Sequence, residues 1–188
     1  IVYNDTGVFD MPDGTIIIKN FFYLNQELHP DLGRRIIETR LLIKRPGVGW
    51  LPYQFIWNEA QTEAFFEPTG GNTNIQYLNR EGTSVNIKYH IPNQMECRSC
   101  HRTNDVILPI GVAARHINRK YAYESGEQNQ LAYWAAHKML TLPATKPPAN
   151  ADWQDEKASL ESKARAYLDI NCGFCHKPDG VANMSGLF

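Results

Sequence analysis

Two pentapeptides, Cys97-Arg98-Ser99-Cys100-His101 and Cys172-Gly173-Phe174-Cys175-His176, use all four cysteines of this 188-residue chain. Any fold it adopts must therefore present, twice, two thiols one helical turn apart with an imidazole directly after them. That spacing is the attachment signature of c-type haem, in which the thiols hold the macrocycle and the histidine reaches the iron from the proximal side. Three other uses of paired cysteines fit less well. A structural all-cysteine zinc site usually spaces its pairs by about 15 to 20 residues, whereas 71 residues separate Cys100 from Cys172, and zinc gives no reason for both trailing histidines. A thioredoxin-like redox motif needs one copy at a strand-to-helix junction. Structural disulfides explain neither the repeat nor the histidines.

The expected cofactors are thus two haem c groups, attached at Cys97, Cys100, Cys172 and Cys175, with His101 and His176 as proximal iron ligands. Composition narrows the partners. At 43% hydrophobic and 21% charged residues the chain has enough apolar material for one or two domains, and its formal charge of −1 offers nothing to nucleic acid or an anionic membrane. No apolar run approaches the ~18 residues of a membrane helix. The opening Ile1-Val2-Tyr3-Asn4-Asp5 lacks the pattern of a signal peptide, so we expect a mature or truncated start.

Residues 1 to about 92 read as a β-rich domain. Thr15 to Leu24, Arg35 to Ile43, Tyr53 to Trp57 and Ser84 to Tyr89 are rich in β-branched and aromatic residues. Pro12-Asp13-Gly14, Pro46-Gly47, Pro68-Thr69-Gly70-Gly71 and Glu81-Gly82 punctuate them as turns. Residues 93 to 188 then form the di-haem region. Within it the periodicity predicts a helix from Gln128 to Leu140, with Leu131, Trp134, Ala135 and Met139 on one face. A proline-rich connector comes next, at 143–150. A second helix is expected from about Asp155 to Asn171, with Leu160, Ala164, Tyr167 and Leu168 as its apolar stripe. The fold class expected is α+β, an antiparallel β-rich domain followed by a mainly α-helical region.

The run Ala164-Arg165-Ala166-Tyr167-Leu168-Asp169-Ile170-Asn171-Cys172-Gly173-Phe174-Cys175-His176 resembles the opening helix and attachment site of single-domain class I cytochromes c. With Pro12-Asp13-Gly14-Thr15, Arg34 to Leu42, Asn93-Gln94-Met95-Glu96-Cys97 and Pro109-Ile110-Gly111, most of the chain is similar to a family of predicted periplasmic di-haem cytochromes c. The resemblance implies a cytochrome c-like fold around the haems. It departs from the pattern at the end: 12 residues follow His176, where relatives continue through a methionine-bearing loop and a closing helix. We expect the second haem domain to be truncated, incomplete, or completed by another copy.

What each iron does depends on its sixth ligand. The candidates for the distal position are His90, His116, His137, Met139 and Met184. Met95 reads as packing and His29 as surface. Trp134, Tyr133 and Phe174 are candidate haem-lining aromatics or plain core, and Arg98, Arg102, Arg115 and Arg119 candidate partners of propionates or solvated charges. The function expected is electron transfer, with redox partner proteins or further copies of the chain as partners. The alternatives are a di-haem peroxidase-like enzyme with one open iron, an electron-accepting module docking a dehydrogenase, and a repeating subunit of a cytochrome filament. Haem attachment outside the cytoplasm implies export to the periplasm or extracellular space of a bacterium or archaeon.

Overall fold

The computed structural model describes residues 1–186, which form two compact units, one of residues 14–99 and one of residues 1–13 with 100–186. No helix among the described residues is long and apolar enough to cross a membrane. The protein is α+β, with antiparallel sheets throughout.

The unit of residues 14–99 is a four-stranded antiparallel sheet of β1 (Ile16–Leu24), β2 (Arg34–Arg45), β3 (Gly49–Trp57) and β4 (Ala64–Phe66), in that order. A separate hairpin joins β5 (Gly71–Leu78) to β6 (Ser84–Ile91). The expected turns at Pro46-Gly47 and Glu81-Gly82 link β2 to β3 and β5 to β6. Ile37, Ile75 and Ile91 are buried together, with Tyr23, Ile56, Tyr77, Ile87 and Tyr89 packed around them. Each buried isoleucine contributes roughly 1.5 to 3 kcal/mol of apolar transfer.

A charged side chain lies under this sheet. Glu38 is fully buried, receives both Nε and Nη2 of Arg40 at 2.9 and 2.6 Å, and accepts the Tyr89 hydroxyl at 2.8 Å. Burial disfavours the Arg40 charge, but the bond to Glu38 outweighs it and raises the guanidinium pKa. Burial, followed by the bond to Glu38, also raises the Tyr89 hydroxyl. The charge is therefore paired, as a buried carboxylate must be.

The last element to begin in this unit is helix α1 (Gln94–His101). Asn93 caps it: its Oδ1 accepts the N–H groups of Met95 and Glu96, both at 2.9 Å, while Glu96 Oε2 reaches back to the Asn93 N–H at 2.8 Å. This reciprocal capping fixes where the helix begins, and hence which face holds its cysteines.

The other unit departs from the sequence expectation in two ways. Its helices are short: α2 (Ala114–Ile117), α3 (Gln130–Ala136) and α4 (Leu160–Asn171). Two small hairpins accompany them, β7 (Arg102–Thr103) with β8 (Val106–Ile107) and β9 (Lys120–Tyr123) with β10 (Gly126–Asn129), so the region is not mainly helical. The first 13 residues also belong here instead of with the β-rich unit. Val8 bridges to Ala113, the Ile1 backbone nitrogen donates to the Met139 carbonyl at 3.0 Å, and Phe9 is buried with Ala114, Ile117, Leu131 and Leu140. These partners lie more than 100 residues away in the chain, so no local pattern announces them.

Two predicted faces also change. In α3, Leu131 is buried and Trp134 and Ala135 pack on the core as expected, but Met139 lies beyond the helix and is 43% exposed. In α4, which starts at its Ser159 cap and not at Asp155, the stripe of Leu160, Tyr167 and Leu168 is exposed, and Ala166 is the buried residue. The reason is electrostatic. Asp169 turns the helix so that its face with Ala166 meets the unit, through bonds to Arg115, His116 and Asn150.

Candidate haem attachment sites

Helix geometry places Cys97 and Cys100 one turn apart on α1, with Cys97 buried, Cys100 exposed and His101 next in the chain. The β7–β8 hairpin directly after His101 holds that histidine in place. Asn104 and Asp105 both adopt positive φ, 45° and 63°, the requirement of a two-residue hairpin turn of the type that matches strand twist. The turn pairs Thr103 with Val106 and Arg102 with Ile107. One step further out, the Leu108 N–H bonds the His101 carbonyl and His101 Nδ1 donates to the Leu108 carbonyl, each at 2.8 Å. A carbonyl only accepts, so Nδ1 holds the proton, which in the neutral imidazole leaves the lone pair on Nε2. This is the tautomer a metal-ligating histidine needs, fixed by the backbone bond that orients such a ring.

The second site is built differently and reaches the same tautomer. Ser159 caps α4 by accepting the Ser162 N–H at 3.1 Å, and the helix delivers Cys172 at its C-terminal end. The chain then turns tightly: the N–H groups of Cys175 and His176 bond the Cys172 carbonyl at 3.0 and 2.9 Å. Gly173 is required here, because a Cβ would lie 2.8 Å from the Asp169 carbonyl. Gly180 is required as well, since its Cβ would collide with the Cys175 carbonyl. His176 Nδ1 lies 2.8 Å from Ser185 Oγ, whose hydroxyl donates to the Ala182 carbonyl at 2.7 Å. The serine has spent its proton, so it accepts from Nδ1, which in the neutral imidazole again leaves the lone pair on Nε2.

These motifs meet. The Cys100 thiol lies close enough to Cys175 to influence its ionisation, and Lys177 Nζ donates to Thr103 Oγ1 at 3.1 Å. Burial first, and then the Cys100 and Cys172 thiols, push the Cys175 thiol up. Cys100, His101, Cys172, Cys175 and His176 thus share one unit.

Beside the second motif, Asp169 gathers four donors. Arg115 forks onto both carboxylate oxygens at 2.8 and 2.9 Å, and His116 Nε2 and Asn150 Nδ2 each lie 2.8 Å from Oδ2. Partial burial would raise this carboxyl, but the bonds from Arg115, Asn150 and His116 hold it well below the usual carboxylate range. The connector at 143–150 is tied into the same region and is no free tether: Asn118 Nδ2 donates to the Pro147 and Pro148 carbonyls at 3.0 and 3.2 Å, and the Asn150 N–H to the Arg115 carbonyl at 2.9 Å.

The structure scatters the candidate distal ligands. His90 is exposed and lies 3.0 Å from Glu96. His116 gives Nε2 to Asp169, while its Nδ1 is buried without a hydrogen-bond partner. His137 is exposed, bonds the Tyr133 carbonyl through Nδ1 at 2.8 Å, and stacks on the Tyr133 ring. Met139 is partly exposed and Met184 is 95% exposed. Of the arginines, Arg115 serves Asp169 and Arg102 lies 3.5 Å from Asp105. Sequence reasoning missed Leu108 and Ser185 as the groups that set the two imidazoles. The Asn104-Asp105 pair, which tolerates positive φ, was the available signal for the first. The second has none, because any hydroxyl on that loop would look the same.

No protein family model, curated protein or solved structure matches this chain.

Proposed function

We propose that the protein carries two covalently bound c-type haems and transfers electrons, one haem held by Cys97, Cys100 and His101 and the other by Cys172, Cys175 and His176. The observation that carries this reading is the matched orientation: after each C-x-x-C, a histidine gives Nδ1 to an acceptor of its own unit, the contact by which a metal-ligating imidazole is oriented. The residues fit the group in kind, two thiols for the vinyl positions and one neutral imidazole per motif. Haem iron bound there would supply a one-electron redox centre.

The remaining chemistry belongs to the chain. The Leu108 carbonyl and Ser185 hydroxyl draw on the Nδ1 protons and make each imidazole a stronger donor at Nε2, which favours the oxidised state of a metal it binds. The nearness of the Cys100 and Cys175 thiols, felt in the raised Cys175 thiol, supports short-range exchange between the two centres. A cytochrome c-like arrangement around the second motif is part of this proposal, as are redox partner proteins or further copies of the chain as partners, and maturation in the periplasm or outside the cell.

Absorption spectroscopy of the purified protein, oxidised and reduced, with and without carbon monoxide, tests the role. An electron carrier has two low-spin irons that ignore the gas. A high-spin iron that binds it would replace the carrier with the peroxidase-like alternative.

A further inference from the structure

A pocket of about 220 Å³ opens beside the Asp169 cluster, within the unit of residues 1–13 and 100–186. Its walls include Arg119 and Lys163, the rings of Trp153 and Tyr167, and the imidazole of His116. Arg119 and Lys163 both line this space, and neither has a side-chain ion pair among the described residues. The one carboxylate in the lining, Asp152, accepts the Gln154 N–H at 3.0 Å. Arg115 is already neutralised by Asp169.

Volume and surface define the occupant. An apolar cavity of roughly 150 Å³ takes benzene, so 220 Å³ accommodates one six-membered ring with a small polar substituent. Trp153 and Tyr167 are 71% and 66% exposed, unusual for residues of their area, and offer flat faces on which a ring stacks. Guanidinium and ammonium groups select a carboxylate at the ring's edge. The site is preorganised, because Asp169 locks Arg115, His116 and Asn150 in place around it.

We propose that this pocket binds a monocyclic aromatic carboxylate, its carboxylate between Arg119 and Lys163 and its ring against Trp153 and Tyr167. The inference stands on the pocket alone and does not require the haem reading.

Equilibrium dialysis of the full chain, as purified, against radiolabelled benzoate tests it. Saturable binding is expected, weakened about a hundredfold by the double substitution Arg119→Gln, Lys163→Gln, which is the loss of two charge-assisted hydrogen bonds at about tenfold each. Trp153→Ala weakens it about fivefold through lost stacking. These side chains lie on the surface of the pocket, so circular dichroism of the variants should match the parent. Acetate competes poorly. The proposal is overturned if no saturable binding appears up to about 10 mM, a concentration at which even a weak specific site fills. It is equally overturned if binding survives both variants unchanged, or if inorganic phosphate competes as well as benzoate.

Discussion

The two units put their charged residues to opposite uses. In residues 14–99 the sheet is assembled by apolar side chains, Ile37, Ile75 and Ile91 at its centre, and the one buried carboxylate, Glu38, is enclosed within that packing. In the other unit the carboxylate does the assembling: α4 leaves Leu160, Tyr167 and Leu168 outward and is fastened through Asp169 to Arg115, His116 and Asn150. An apolar stripe is thus not sufficient to fix which face of a helix turns inward. A carboxylate with three donor side chains within hydrogen-bond distance outweighs two leucines and a tyrosine that water can still reach.

On that contrast, Asp169→Ala is the most damaging change in its unit. It strands the Arg115 guanidinium and frees α4, and should cost roughly 3 kcal/mol in a denaturant titration. Retention of full stability would mean that the apolar contacts of Ala166 hold the helix after all. The same residue predicts a pH dependence. Its folded-state carboxyl lies below its unfolded value, so the stabilisation is complete above the ordinary aspartate range and is lost as pH falls through the lower folded value. Melting followed from about pH 6 downward should reveal a loss of about 2 kcal/mol that Asp169→Asn abolishes.

In the β-rich unit the corresponding change is milder. Glu38→Gln keeps the shape and the Tyr89 bond but leaves Arg40, which is partly exposed, without its counter-charge, at a cost of about 2 kcal/mol in the same titration. The smallest effect has the opposite sign. Gln54 is fully buried and neither its Oε1 nor its Nε2 has a partner. Gln54→Leu should therefore stabilise by about 1 kcal/mol, read as a raised melting temperature, and a destabilised variant would show that the amide is satisfied in solution.

Much of this is legible along the chain. The strand segments at Thr15 to Leu24, Arg35 to Ile43 and Ser84 to Tyr89 match β1, β2 and β6 within a residue or two, because alternating β-branched residues between strong turn signals admit few other structures. Strand β5 is not, since Gly71-Asn72-Thr73-Asn74-Ile75-Gln76-Tyr77-Leu78 buries only Ile75 and owes its conformation to pairing with β6. The β9–β10 hairpin is obscured for a related reason: Gln128 and Asn129 read as the start of a helix, while they pair with Tyr121 and Lys120 and Asn129 caps α3. Of the site, the cysteines and histidines are plain from their spacing. Of the groups that set those histidines, Leu108 had a local signal in the Asn104-Asp105 turn, whereas Ser185 and the Asp169 cluster depend on contacts across 9 to 54 residues that no local pattern encodes.

The central claim is covalent haem at both motifs, and peptide mass spectrometry tests it most directly. Protein produced with a haem-attachment system and digested by protease should yield two modified peptides, one containing residues 97–101 and one containing residues 172–176, each heavier by one haem. Unmodified cysteines in both peptides, from protein that is folded and was exported, would contradict the account.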